Sequence, residues 1–177
     1  MKRVALFLMV GWLSVPALAE VSPEYKVKAA LLFNFAKFVD WPASAFADAT
    51  SPVIIGVLGD DPFDGALEEI IRGRTANGHP LTVQRSKRVE DFKACHVLFV
   101  SASEKFRQPE IVAKLKGSSV LTVSDTDDFL AHGGMIKITL VERKPRLEID
   151  AGAAESAGLK IQAQLLDLAS LVKKERH

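Results

Sequence analysis

The chain has 177 residues, of which 48% are hydrophobic and 25% are charged, and its formal net charge is +1. This near-neutral balance gives no indication of a nucleic-acid or acidic-surface partner, since such partners select strongly basic proteins. A single cysteine, Cys95, excludes an intramolecular disulfide. Its position in the apolar stretch CHVLFV predicts a buried and inert thiol, with an intermolecular disulfide as the alternative.

The first nineteen residues have the pattern of a secretory signal peptide. Lys2 and Arg3 precede the apolar residues 4–15, and Ala17 and Ala19 form a small-x-small cleavage site. We therefore predict cleavage after Ala19, export to the periplasm, and a single α/β domain over residues 20–177. No later stretch approaches the length of a membrane span, which predicts no direct membrane insertion.

Residues 24–42, EYKVKAALLFNFAKFVDWP, predict a central buried helix. Apolar residues recur at helical spacing on two sides of this stretch, and Pro23 and Pro42 are its expected limits. Packing does not explain the polar residues Asn34 and Lys37, which lie three apart and so share a face. We therefore predict that Asn34 and Lys37 contact a partner, with solvent exposure of the lysine as the alternative.

Strands and helices then alternate along the chain. Apolar runs bounded by turn residues predict strands at residues 53–59, 81–85, 96–100 and 119–125. Helical spacing predicts helices at residues 62–73 and 104–116, with short helical segments at residues 89–94 and 127–134. Three of the four runs are almost continuously apolar, which is typical of parallel strands covered on both faces.

The pattern changes in the last third of the chain. Residues 135–142 and 146–150 alternate between apolar and polar positions, which predicts an antiparallel hairpin with one wet face. A closing helix is predicted from the spacing of Ile161, Leu165, Leu168 and Val172. The expected fold is a three-layer αβα sandwich, with a mostly parallel sheet of about six strands and a C-terminal antiparallel hairpin.

No motif for catalysis, a cofactor or a metal stands out. The chain has no G-x-G-x-x-G, G-x-x-x-x-G-K-[ST] or G-x-S-x-G motif. Asp125, Asp127 and Asp128 form a small acidic cluster, for which capping of the helix at 128 is favoured over cation binding. No metal spacing links the histidines, which are His79, His96, His132 and His177. We predict no cofactor, no metal and no enzyme activity, with a hydrolase as a minor alternative because triads assemble in space.

Small-ligand binding is the main alternative that the residues leave open. Open α/β sheets bind ligands in a crevice at the carboxyl ends of their strands. Gly59, Asp60, Ser101 and Asp125 follow predicted strands and would lie near such a crevice.

Five stretches in the same order resemble the YfiR family of periplasmic proteins. They are YKVKAALLFNFAKFVDWP, IIGVLGDDPFDGALE, CHVLFVSASE, VLTVSDTDDFLAHGGMI and AAESAGLKIQAQLLDLASLV. The resemblance implies a non-enzymatic, dimeric α/β regulator that binds the periplasmic domain of an inner-membrane diguanylate cyclase and holds it inactive. Cyclic di-GMP and biofilm formation would fall as a result. The regulator for which the family is named is associated with disulfides, so the single Cys95 makes redox control through an internal bridge impossible here and leaves the regulatory trigger open.

The predicted hairpin supplies a second candidate surface for such a partner. Glu142 and Arg146 flank the expected turn, where a sheet edge is open for pairing. We therefore add Glu142 and Arg146 to Asn34 and Lys37 as predicted partner-binding residues.

Overall fold

The structure is a computed structural model that describes residues 22–174, with side-chain burial given as far as residue 169. The helices are α1 (Pro23–Phe38), α2 (Ala66–Ile71), α3 (Gln108–Leu115), α4 (Ala151–Ser156) and α5 (Ala163–Lys174). The strands are β1 (Val39–Asp40), β2 (Val53–Leu58), β3 (Thr75–Ala76), β4 (His79–Ser86), β5 (Val97–Val100), β6 (Leu121–Ser124), β7 (Ile136–Val141), β8 (Lys144–Ile149) and β9 (Lys160–Ile161). Short 3₁₀ segments are formed by Ala43–Ala45, Val89–Phe92 and Ala102–Arg107.

The main sheet has seven strands in the order β3-β4-β2-β5-β6-β7-β8. The five central strands of the sheet pair in parallel, in the order β4, β2, β5, β6 and β7. The edge strands β3 and β8 pair antiparallel. The mostly parallel sheet and the C-terminal hairpin are therefore confirmed, and the two-residue β3 brings the strand count to seven. The order reverses between β2 and β5, as it does in doubly wound sheets.

Side chains alternate between two cores, one on each face of the sheet. Ile55 and Val57 point into a core formed with α1, α2 and the hairpin. Leu98 and Val100 point into a second core beneath α3, together with Cys95. Helices on both faces confirm the three-layer αβα sandwich.

Helix α1 is shorter than predicted. It ends at Phe38, because Val39 is extended (φ −116°) and pairs with Ile161 in a separate two-stranded sheet. The prediction that α1 continues towards Pro42 was therefore wrong. Ile161 lies in β9 and α5 begins at Ala163, so the placement of Ile161 in the closing helix was also wrong.

The predicted short helix at residues 127–134 is not formed. This segment is a series of turns, in which Asp127 and Asp128 are exposed and Phe129 is buried. Helix capping by the acidic cluster was therefore a wrong prediction. Within residues 22–174 no helix is both long and apolar enough to cross a bilayer.

Candidate functional site at the carboxyl edge of the sheet

The strand register brings three of the predicted crevice residues into one row. Leu58 of β2 is opposite Val100 of β5, and Val100 is opposite Ser124 of β6. Gly59, Ser101 and Asp125 are the next residues along these three strands. The Ser101 N–H donates to the Leu58 carbonyl at 3.0 Å, which continues the pairing by one step.

The space beside Gly59 is filled by the protein's own side chains. Gly59 has φ +95°, and a Cβ atom there would lie 2.4 Å from Ser103 Oγ and 2.8 Å from Glu104 Cγ. The Asp60 N–H donates to Ser103 Oγ at 3.0 Å, and the Asp60 carboxylate pairs with Lys87 at 2.9 Å. Gly59 therefore permits close packing of the segment after β5, and this arrangement does not favour a ligand crevice at that point.

Asp125, at the β6 end of this row, is tied to α1. Its Oδ2 atom accepts from Lys28 Nζ at 2.7 Å and from Tyr25 Oη at 3.0 Å. Glu24 also pairs with the Lys28 ammonium. Burial, reinforced by the negative charge of Asp125, raises the pKa of Tyr25, so its hydroxyl remains a donor. Asp125 Oδ1 is buried without a hydrogen-bond partner among the described residues.

Lys28 was not predicted from the sequence, although a signal was present. It lies on the same helical stripe as Leu31, Leu32 and Phe35, and all four residues are buried. A lysine on an apolar stripe must find a buried counter-ion, because an isolated buried charge is strongly unfavourable. We call the group formed by Glu24, Tyr25, Lys28 and Asp125 the α1 ion cluster.

A second polar network lies beneath α3, on the opposite face of the sheet. Ser124 Oγ donates to the Val100 carbonyl at 2.8 Å and lies 3.1 Å from Thr126 Oγ1. Gln108 Nε2 donates to the same Thr126 oxygen, and Gln108 Oε1 lies 3.3 Å from His132 Nδ1. These bonds fix the start of α3 to the end of β6.

Histidines that are distant in sequence meet at the amino edge of the sheet. Phe46 stacks on His79 with ring centroids 4.2 Å apart and lies 4.6 Å from the ring of His96. The Ile54 N–H donates to His96 Nδ1 at 3.1 Å. Burial lowers the pKa of His96 to about 4, so the imidazole is neutral at pH 7. No group of three or more potential metal ligands occurs in the part of the chain that the structure describes.

The predicted burial of Cys95 is confirmed. Its Sγ contacts the carbonyls of Val97 at 3.1 Å and Ile54 at 3.3 Å. Burial raises the pKa of the thiol to about 12. Cys95 packs in the core beneath α3, whereas its neighbour His96 contacts Trp41 and Phe46, so the two residues do not form a joint site.

The predicted partner-binding residues lie on two elements. On α1, Asn34 is half-buried, whereas Lys37 is exposed, with Nζ 5.4 Å from the centroid of the Phe38 ring. Glu142 lies in the hairpin turn itself, and Arg146 is opposite Thr139 within β8. Their role in binding stays a prediction.

The fold and the carboxyl edge define a doubly wound α/β domain whose buried polar groups bond to one another and hold elements together. A family model described as YfiR/HmsC-like (DUF4154) matches residues 25–170, and the chain belongs to this family. The resemblance seen in the sequence is thereby confirmed. No match was found among curated proteins. Membership indicates a periplasmic regulator rather than an enzyme, with a diguanylate cyclase as the general class of partner.

Proposed function

We propose that this protein binds the periplasmic domain of an inner-membrane diguanylate cyclase and holds the cyclase inactive. Cyclic di-GMP and biofilm formation are then low while the complex persists. The observation that carries this proposal is the family match, which extends over residues 25–170. The signal peptide predicted to end at Ala19 lies outside the described residues and would deliver the chain to the same compartment.

The interior of the carboxyl edge supports a protein-binding role over a ligand-binding one. Ser103 and Glu104 fill the space at Gly59, and the buried Lys28 of α1 neutralises the charge of Asp125. These contacts hold loops in fixed positions, which lowers the entropy lost when a surface docks on a partner. The resemblance to the YfiR family adds a homodimer to the proposal, which sedimentation of purified residues 20–177 would test.

A deletion strain tests the regulatory role. We expect deletion of the gene to raise cyclic di-GMP, and the rise to vanish when the partner cyclase is deleted as well. Unchanged cyclic di-GMP in the single deletion, with the cyclase expressed, would contradict the proposal. A rise that persists without any membrane cyclase would assign the protein to another target.

Charge reversal tests the partner surface that the sequence predicts. Lys37→Glu or Arg146→Glu should raise cyclic di-GMP part of the way towards the deletion level, because each change places a negative charge on the proposed surface. Lys116→Glu, at an exposed position after α3, is the matched control. If the Lys37 and Arg146 variants have the same cyclic di-GMP level as the Lys116 control, then Lys37 and Arg146 do not belong to the interface.

A further inference from the structure

The segment that follows β5 has an inverted pattern of burial. Phe106 is 94% exposed, whereas Glu104 and Gln108 on either side of it are 8% and 0% exposed. The next most exposed large apolar residues among those described are Val141 at 43% and Leu168 at 38%. Single exposed apolar residues are common on protein surfaces, so exposure alone does not mark Phe106; the two buried polar residues on either side of it do.

Contacts on both sides hold Phe106 in its outward position. Before it, the Glu104 N–H donates to the Ser101 carbonyl at 2.9 Å, and the Glu104 carboxylate accepts from Arg107 at 2.8 Å. After it, the buried Gln108 side chain donates to Thr126. The ring is therefore presented by a fixed segment, at the same carboxyl edge as Gly59 and Ser101.

The chemistry around the ring indicates the kind of surface that it fits. Lys105, the residue before Phe106, is exposed and makes no ion pair among the described residues, whereas Arg107, the residue after it, pairs with Glu104 at 2.8 Å and with Glu110 at 3.6 Å. Aromatic and arginine side chains are enriched among the residues that dominate protein interfaces, particularly where they are held in advance. A membrane surface is a weaker fit, because one ring with one or two cations gives only marginal binding to a bilayer.

We propose that Phe106 anchors the interface with the partner protein by inserting into an apolar pocket that has an acidic residue at its rim for Lys105. This inference rests on the proposed function, and it names the periplasmic domain of the diguanylate cyclase as the protein that carries the pocket. The exposed ring and Lys105 contact the partner, while Glu104 and Gln108 act as positioning residues.

Photocrosslinking in living cells tests the anchor and captures the partner in the same experiment. A benzophenone amino acid replaces Phe106 in one strain and Lys116, the exposed control position after α3, in another. We expect an adduct with an inner-membrane diguanylate cyclase from position 106 and not from position 116. An adduct only with a second copy of this chain, only with lipid, or only with an unrelated protein would overturn the inference.

Substitution provides the second readout. Phe106→Ser should leave the thermal unfolding temperature and periplasmic level unchanged, because the ring makes little contact with its own chain. It should weaken binding to the periplasmic domain of the crosslinked cyclase by roughly 30-fold or more, whereas Lys116→Ser changes binding by less than about 2-fold. If Phe106→Ser restores low cyclic di-GMP in a deletion strain as fully as the wild type, the anchor is wrong and the regulatory role stands. If deletion itself leaves cyclic di-GMP unchanged, the proposed function fails instead.

Discussion

His96 is buried as a neutral imidazole, so its contribution to stability depends on pH. Its pKa is about 4 in the folded protein, against an ordinary value of about 6.5 in an unfolded chain. The unfolded state therefore binds a proton more readily between these values, and the free energy of unfolding falls as the pH is lowered from 6.5 towards 4. The expected loss from this residue alone is about 3 kcal/mol.

Urea unfolding at a series of pH values checks this prediction. His96→Asn retains an acceptor for the Ile54 N–H and has no titrating group, so the variant should lose less stability than the wild type between pH 6.5 and 4. The difference between the two curves isolates His96 from the carboxylates that also titrate at low pH. Parallel curves would show that His96 can be protonated in the folded state.

The hairpin turn is a site of backbone strain. Glu142 and Arg143 have φ values of 51° and 64°, which are left-handed conformations that favour Asn and Gly in two-residue turns. Replacing both, as Glu142→Asn with Arg143→Gly, should raise the free energy of unfolding by about 1 kcal/mol. Thermal unfolding measures the gain. Lys144→Gly, in the first residue of β8, is the control and should be destabilising.

Single residues show where prediction from the sequence reaches its limit. The burial of Cys95 was predicted because its neighbours form an apolar run. The burial of Lys28 and the exposure of Phe106 were not predicted, because both depend on what the tertiary structure brings beside these residues. A lysine in an apolar stripe and a phenylalanine among polar residues both depart from the hydrophobic pattern of their segments. Each departure is visible in the sequence, but the residues that explain it are not.

At the scale of elements, the α1 ion cluster joins the first turn of α1 to the end of β6. Removing one partner of a buried ion pair leaves the other charge uncompensated. Asp125→Ala leaves Lys28 with only the half-exposed Glu24, so it should lower the free energy of unfolding by about 3 kcal/mol, the lower end of the range for a broken buried pair. Lys28→Met combined with Asp125→Leu should recover most of that loss, because two apolar side chains need no compensation.

Chemical unfolding of the single and double variants measures these differences. Hydrogen exchange of the α1 amides in Asp125→Ala then shows whether the effect is local to this helix. A single variant as stable as the wild type would mean that Glu24 or water compensates the Lys28 charge without Asp125. A double variant no more stable than the single one would mean that packing, rather than charge, makes Asp125 important.

Element boundaries were less predictable than the elements themselves. Strands β2, β5 and β6 were predicted because continuous apolar runs are typical of strands covered on both faces. The end of α1 and the start of α5 were not, because they depend on pairing between Val39 and Ile161, which are distant in sequence. At residues 127–134 the capping pattern suggested a helix, but the segment forms turns that bury Phe129.

At the scale of the whole molecule, the carboxyl edge was partly predictable. Strand ends in a parallel sheet meet at one edge, so Gly59, Ser101 and Asp125 were expected to be neighbours. The side chains that fill this edge come from α1 and from the 3₁₀ turn after β5, and their placement follows only from the packed structure. What was predicted as an open crevice is accordingly occupied at Gly59 by Ser103 and Glu104.

We propose that this protein restrains a membrane cyclase through the cyclase's periplasmic domain. The most direct test uses purified, detergent-solubilised cyclase, chosen as the one whose deletion removes the rise in cyclic di-GMP. We predict that adding residues 20–177 lowers the rate of cyclic di-GMP synthesis from GTP in a saturable manner, and that a cyclase lacking its periplasmic domain does not respond. An unchanged rate at saturating concentration, or an equal decrease for the truncated cyclase, would contradict the claim.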